Sequence, residues 1–92
     1  MALLHDEAIG ALLDGTQWRK DGNTVVRDFE FANFTDAVAF VNRVAIDADK
    51  ADHHPDILIH SYRKVQVRIS THTEGGITMR DIELSRAIDT LV

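Results

Sequence analysis

The chain alternates helical and strand-like apolar spacing, and this alternation narrows the fold to one class. Apolar residues recur at helical spacing over residues 6–14, over 35–50 and again from Thr78 onwards. Two hairpin patterns separate these stretches. The order helix, hairpin, helix, hairpin, helix predicts an α+β fold: an antiparallel four-stranded sheet with three helices on one face, formed by residues 1–92 as a single domain.

The first hairpin is marked by its turn, Asp21-Gly22-Asn23, whose residues tolerate positive φ. The turn joins strands predicted at residues 17–20 and 24–31. Arg27 interrupts the apolar parity of the second strand, so that face is not uniformly apolar. The second hairpin is predicted at residues 57–62 and 64–72, where Val65, Val67 and Ile69 alternate with polar residues.

The long central helix is predicted over residues 35–50, with Thr35 or Asp36 as its cap. Its apolar band is wide enough to meet two neighbours, one of which could be another subunit. The band comprises Phe34, Ala37, Val38, Val41, Val44, Ala45 and Ala48. The last helix begins at Thr78, and Asp81 three positions later resembles the second half of a capping box.

Composition excludes several classes of function. The formal net charge of −5 argues against binding nucleic acid through its phosphates. The absence of cysteine rules out disulfides, thiolate metal sites and cysteine nucleophiles. Residues 1–15 have neither the basic segment nor the long apolar run of a signal peptide or membrane anchor. We therefore expect a soluble, cytoplasmic protein with no membrane contact.

Three histidines are the strongest candidates for chemistry. His53 and His54 are adjacent in a bend that Pro55 restricts, and His72 lies at the end of a predicted strand. Any one of them alone would more often cap a helix or face solvent. Together they suit the elimination of water near neutral pH, since one imidazole can accept a proton while another donates one. Asp49 and Asp52 could orient the rings.

Three other types of site are less well supported by the sequence. Three histidines and an aspartate could hold zinc, but adjacent rings seldom point at one ion, and no His-x-x-x-His spacing occurs. Neither Ser61 nor Ser70 lies in a Gly-x-Ser-x-Gly elbow. Gly75-Gly76 is too short to cradle a phosphate.

The stretch from Asp49 to His53-His54-Pro55 resembles the active-site signature of the pterin-4a-carbinolamine dehydratases. Tyr62, His72 and Asp81 follow at the spacing of that signature. The resemblance extends over essentially the whole chain. It includes Trp18, Phe29-Glu30-Phe31, Phe34, Ser70-Thr71-His72 and Gly75-Gly76-Ile77-Thr78.

The resemblance implies a fold, a reaction and an assembly. The fold is the one already read from the periodicity. The reaction would remove water from 4a-hydroxytetrahydropterin to give quinonoid dihydropterin, recycling the pterin cofactor of aromatic amino-acid hydroxylases without a metal or organic cofactor. Subunits would pair through their sheets as homodimers and associate further, through helices, into homotetramers.

The resemblance also assigns roles by position. His53 and His54 would be the main acid–base pair and His72 a third ring at the pterin. Asp49 and Asp52 would line or orient the site. For Asp81, a role in the substrate site and a role as a helix cap are equally supported. Tyr62 is as consistent with packing as with binding.

The chain departs from many relatives at Ile57, where they carry an aromatic residue. A stacking contact near the pterin would then be missing, which affects affinity more than chemistry.

Proteins of this family's fold also act without catalysis, as a dimerisation cofactor of a homeodomain transcription factor in animals and as assembly factors in some bacteria. A non-catalytic module is therefore the alternative function, although binding alone has no need of three histidines at signature spacing.

Overall fold

The computed structural model describes residues 2–92 and has the predicted α+β architecture. The helices are α1 (Asp6–Leu13), α2 (Phe34–Ala51) and α3 (Met79–Asp89), with a short 3-10 turn at His72–Glu74. The strands are β1 (Arg19–Asp21), β2 (Thr24–Glu30), β3 (Asp56–His60) and β4 (Lys64–Ile69). They form one antiparallel sheet in the order β1-β2-β4-β3, so β3 is an edge strand. The predicted fold class and element order are confirmed.

The core lies between the helices and one face of the sheet. The alternation predicted for β4 is confirmed, since Val65, Val67 and Ile69 are fully buried. From β2, Phe29 packs its ring 4.6 Å from that of Phe40 on α2, measured between centroids. The inner face of α2 is formed by Ala37, Phe40, Val44 and Ala48.

Arg27 points to the helix-covered side of β2 and has a partner there. Its guanidinium donates to the carboxylate of Asp89 at the end of α3 (2.6 Å) and lies over the Phe29 ring, 4.3 Å from the centroid. Trp18 donates its indole N–H to the same Asp89 oxygen (2.8 Å). Arg27, which interrupts the apolar alternation of β2, therefore connects the sheet to α3 through a charged hydrogen bond.

The opposite face of the sheet is largely polar. Asp28 accepts hydrogen bonds from Gln66 (3.1 Å) and Arg19 (2.9 Å). The Gln66 amide, followed by Arg19, holds the pKa of the Asp28 carboxyl below its ordinary value, and partial desolvation opposes them. Arg68 donates to Asp21 across the sheet (3.0 Å).

Helix α2 differs from the prediction at its start. It begins at Phe34, and its cap is Asn33, whose side chain accepts from the Asp36 N–H (2.8 Å); Thr35 and Asp36 are already inside the helix. The single chain covers only part of the apolar band, and the second neighbour expected for the band stays a prediction. Phe34 is 54% exposed and Ala45 lies on the exposed side of α2, because the sheet covers one side of the helix. In residues 2–92, no helix is long and apolar enough to cross a membrane.

Candidate functional site at the α2–α3 junction

The backbone at the end of α2 points the two adjacent histidines in different directions. Asp52 follows the last helical residue in a left-handed conformation (φ 48°). The His53 N–H then donates to the Ala48 carbonyl (3.1 Å), which closes the helix end. After this reversal the side chain of His53 turns inward and is 7% exposed, whereas His54 faces solvent.

His53 is held by a fully buried carboxylate. Its Nε2 lies 2.5 Å from Oδ1 of Asp81 on the first turn of α3. The other oxygen of Asp81 accepts from the Thr78 N–H (2.8 Å) and from the Thr71 hydroxyl (2.9 Å). Asp81 therefore completes the predicted capping box of α3 and also contacts a candidate catalytic ring, so the two alternatives for this residue are not exclusive.

His54 has a carboxylate partner of its own. Its Nε2 lies 2.9 Å from Oδ1 of Asp49, one turn back on α2. Both side chains are exposed, His54 by 60% and Asp49 by 78%. The contact orients the ring, but it contributes little to stability because water screens it.

Asp52 takes part through its backbone. Its carbonyl accepts from the Arg80 guanidinium of α3 (2.6 Å), and its left-handed conformation produces the reversal before His53. The contact joins the end of α2 to the start of α3. The carboxylate expected from the sequence to line the site makes no hydrogen bond among residues 2–92.

The sequence predicts that His72 lies at the end of a strand, and this prediction is wrong. β4 stops at Ile69, and His72 opens the 3-10 turn, where it is exposed. The strand ends early because the chain turns back: the N–H of Thr71 donates to the Gly76 carbonyl (2.8 Å), and the Thr71 carbonyl accepts from the Gly75 N–H (3.0 Å). His72 is therefore one residue from Thr71, which contacts Asp81.

A groove of about 380 Å³ between α2 and α3 reaches His53. The sequence did not indicate it, because it depends on how the two helices pack. Charges of both signs surround it. Its lining consists of Asp47, Lys50, Ala51, His53, Arg80, Glu83, Leu84 and Ala87.

The two adjacent histidines engage their carboxylates through the same ring nitrogen. A carboxylate accepts hydrogen bonds, so Nε2 of His53 and Nε2 of His54 act as donors, and within residues 2–92 Nδ1 of neither ring has a hydrogen bond. One ring is enclosed and the other is in contact with water. The arrangement offers a shielded proton acceptor and a second ring that exchanges protons with solvent.

Two further sequence observations have a place in the structure. Tyr62 is 63% exposed at the tip of the β3–β4 hairpin, so it does not pack in the core. Ile57 pairs with Val67 and packs partly buried against the core. Among residues 2–92, no three His, Cys, Asp or Glu side chains are grouped so that they could hold a metal ion.

Comparison with known proteins identifies the family of the chain. The model of the family described as "Pterin 4 alpha carbinolamine dehydratase" matches residues 2–91. The chain belongs to this family. A relative from Thermomicrobium roseum, named "Putative pterin-4-alpha-carbinolamine dehydratase", is 48% identical over 89 residues, which are 96% of this chain and 95% of the relative. One of the same name from Mycobacteroides abscessus is 44% identical, covering 100% and 98%.

Solved structures share the fold. A transcriptional coactivator/pterin dehydratase from Brucella melitensis superposes with a TM-score of 0.89 at 31% identity, over 96% of both chains. A pterin dehydratase-like protein identified as a RuBisCO assembly factor in the α-carboxysome superposes with a TM-score of 0.69 at 20% identity, over 84% of this chain and 90% of its own. The second likeness shows the fold alone.

Sequence reasoning missed the two threonine hydroxyls and Arg80. The sequence predicts Thr78 only as a helix cap and indicates Thr71 only as part of a segment that resembles the family. The signal available in the sequence was the capping box, which places the Asp81 carboxylate at the start of α3. It could not show that Thr71 and His53 reach the same carboxylate, because these contacts join distant parts of the chain.

Proposed function

We propose that this chain is a 4a-hydroxytetrahydropterin dehydratase that uses histidine acid–base chemistry. Family membership supports the reaction class. The observation that carries the mechanism is the contact between His53 and the fully buried carboxylate of Asp81. A buried carboxylate that orients one imidazole nitrogen leaves the other in a defined position and protonation state for proton transfer.

The elimination needs one proton to be removed and one to be supplied. The C4a–O bond breaks and the hydroxyl leaves as water once it has received a proton. The hydrogen on the neighbouring ring nitrogen is lost, and its electron pair forms the new carbon–nitrogen double bond. His53, with Nε2–H held by Asp81, accepts this proton at Nδ1. His54 faces solvent and acts as the imidazolium: with Nε2–H held by Asp49, it gives the hydrogen on Nδ1 to the departing hydroxyl and takes a new one from water. His53 then releases its proton to water, which restores both rings.

The remaining sequence-derived roles complete the proposal. His72 is the third ring at the pterin, and its turn is tied to the Asp81 network through Thr71. Asp49 orients His54, while Asp52 shapes the bend. General acid–base assistance of this kind typically accelerates a reaction by roughly a hundred- to ten-thousand-fold.

A histidine series tests the mechanism. Dehydration of freshly generated 4a-hydroxytetrahydropterin is followed by ultraviolet absorbance with wild type, His53→Ala, His54→Ala and His72→Ala. The matched control is His60→Ala, because His60 lies on β3 and, within residues 2–92, its ring forms a hydrogen bond only with Ser61. We expect a fall of at least roughly a hundredfold for His53→Ala and His54→Ala, with the control unchanged. Unchanged turnover in both variants would overturn the assignment of the pair.

We also propose that the single domain assembles into a homodimer or homotetramer. β3 is an edge strand, and Leu58 on it is 54% exposed. On the outer side of α2, Phe34 and Ile46 are 54% and 57% exposed. Light scattering after gel filtration should show more than one chain per particle, and Ile46→Glu should reduce the assembly. A wild-type monomer at micromolar concentration would contradict this part of the proposal.

The cellular setting is part of the same proposal. A chain with no cysteine fits a reducing compartment such as the cytoplasm. The pterin product would be recycled for an aromatic amino-acid hydroxylase. A non-catalytic assembly module is the second candidate, supported by the exposed apolar side chains of α2. It would be favoured if wild type did not accelerate dehydration.

A further inference from the structure

Thr71 belongs to two structures at once. Its side chain is 3% exposed and donates to Oδ2 of Asp81 (2.9 Å). Its backbone closes the turn that carries His72, since the Thr71 N–H donates to Gly76 and the Thr71 carbonyl accepts from Glu74 and Gly75. One residue thus joins the carboxylate behind His53 to the turn of His72.

The hydrogen bonds around Thr71 have only one consistent direction. The hydroxyl has a single hydrogen, which it donates to Asp81. The hydroxyl of Thr78 lies 2.8 Å away and already accepts the Arg80 N–H (3.2 Å). It therefore donates its own hydrogen to the Thr71 oxygen. Three hydrogen bonds thus connect the Arg80 N–H to Thr78, Thr78 to Thr71, and Thr71 to Asp81.

The Thr71 hydroxyl gives the carboxylate a donor besides the Thr78 N–H of the helix cap. Without the Thr71 hydroxyl, Oδ2 of Asp81 would still accept the Thr78 N–H, so α3 would remain capped. With a single partner on Oδ2, however, the carboxylate plane could turn about that bond. The orientation of the carboxylate would then depend on the Thr78 N–H and on His53 itself, so nothing else would hold Oδ1 in line with His53 Nε2.

We propose that Thr71 is a positioning residue that holds Asp81 so that His53 keeps its hydrogen on Nε2 and presents Nδ1. The inference rests on the proposed function, in which His53 is the proton acceptor. Thr71 acts only through Asp81 and through the turn of His72. Its loss should therefore lower kcat and leave KM nearly unchanged.

The first arm of the test measures the tautomer and needs no substrate. Nitrogen-15 NMR of the histidine rings at a pH where they are neutral should show His53 of the wild type as one Nε2–H form. Thr71→Val should give a mixture of Nε2–H and Nδ1–H forms, while Thr71→Ser should keep the wild-type form. Thr71→Ala repeats the test if valine disrupts folding, because alanine places no γ-methyl group where threonine has its hydroxyl.

The second arm measures kcat in the dehydration assay. Ser85→Ala is the matched control, because Ser85 is a buried hydroxyl that donates to Ile82 within α3. We expect kcat to fall on the order of tenfold in Thr71→Val, and Thr71→Ser and Ser85→Ala to remain near wild type. A single Nε2–H form and a control-like kcat in both Thr71→Val and Thr71→Ala would overturn the proposal. A wild type that does not accelerate dehydration removes the proposed function, and the tautomer arm still decides the role of Thr71.

Discussion

Replacing Asp81 by asparagine should destabilise the protein far more than removing an ordinary surface acid. The carboxylate is fully buried and accepts from the Thr78 N–H, the Thr71 hydroxyl and His53. Asparagine preserves the shape but has one accepting oxygen and an NH₂ group. Whichever way the amide turns, its NH₂ group faces a donor, unless His53 moves its hydrogen to the other nitrogen.

The magnitude follows from the number of bonds weakened. A hydrogen bond to a charged group contributes about 1.5–3 kcal/mol and a neutral one about 0.5–1.5, so each retained bond loses about 1 kcal/mol. With three bonds affected, and a lost bond costing more than a weakened one, the free energy of unfolding should fall by at least about 3 kcal/mol. For a domain of this size that lowers the melting temperature by more than about 10 °C.

The assay is urea unfolding followed by Trp18 fluorescence, with circular dichroism as a second probe. Asp36→Asn is the control, because Asp36 is also an acid in the first turn of a helix but is exposed. The control should change the free energy of unfolding by less than about 0.5 kcal/mol. An Asp81→Asn protein as stable as the control would refute the idea that the buried network depends on a charged acceptor.

Three other predictions concern the rest of the fold. Asp89→Ala should cost about 1–3 kcal/mol, because the Trp18 and Arg27 donors lose their shared acceptor; urea unfolding measures it, and a change below about 0.5 kcal/mol would contradict it. Phe40→Ala should cost about 3–5 kcal/mol by opening a cavity in the core, measured against Phe34→Ala, which is exposed and should cost little. Asp28 has a lowered pKa in the folded state, so its interaction stabilises above the ordinary value of 3.8 and is lost as the pH falls through the folded value. Gln66→Ala should move the Asp28 carboxyl titration, followed by NMR, upward; no movement would show that Gln66 is not the main cause.

The features of the fold that could be predicted are those that depend on the local pattern of the sequence. The parity of Val65, Val67 and Ile69, the turn at Asp21-Gly22-Asn23 and the start of α3 at Thr78 all depend on near neighbours, and the structure has them where expected. Errors arose at ends, as in the cap of α2, which is Asn33. A short polar residue before a helix has several neighbours of the same kind, and only the backbone decides among them.

The candidate site was predictable as a set of residues and not as an arrangement. The sequence picked out His53 and Asp81 separately, but their contact spans 28 positions and depends on the packing of α2 against α3. The end of β4 was misplaced for a similar reason, since the bridge from Thr71 to Gly76 draws His72 into a turn. The sequence shows Arg27 only as a break in the apolar pattern of a strand. In the structure it donates to Asp89, which lies 62 positions away.

The proposed dehydration of 4a-hydroxytetrahydropterin depends on His53 and on no metal. The most direct measurement is the rate of dehydration of freshly generated substrate with chelator-treated wild type and with His53→Ala, each compared with the spontaneous reaction. We expect the wild type to accelerate the reaction after chelation, and this acceleration to fall by at least roughly a hundredfold in the variant. No acceleration by the wild type, or equal rates for the two proteins, would contradict it.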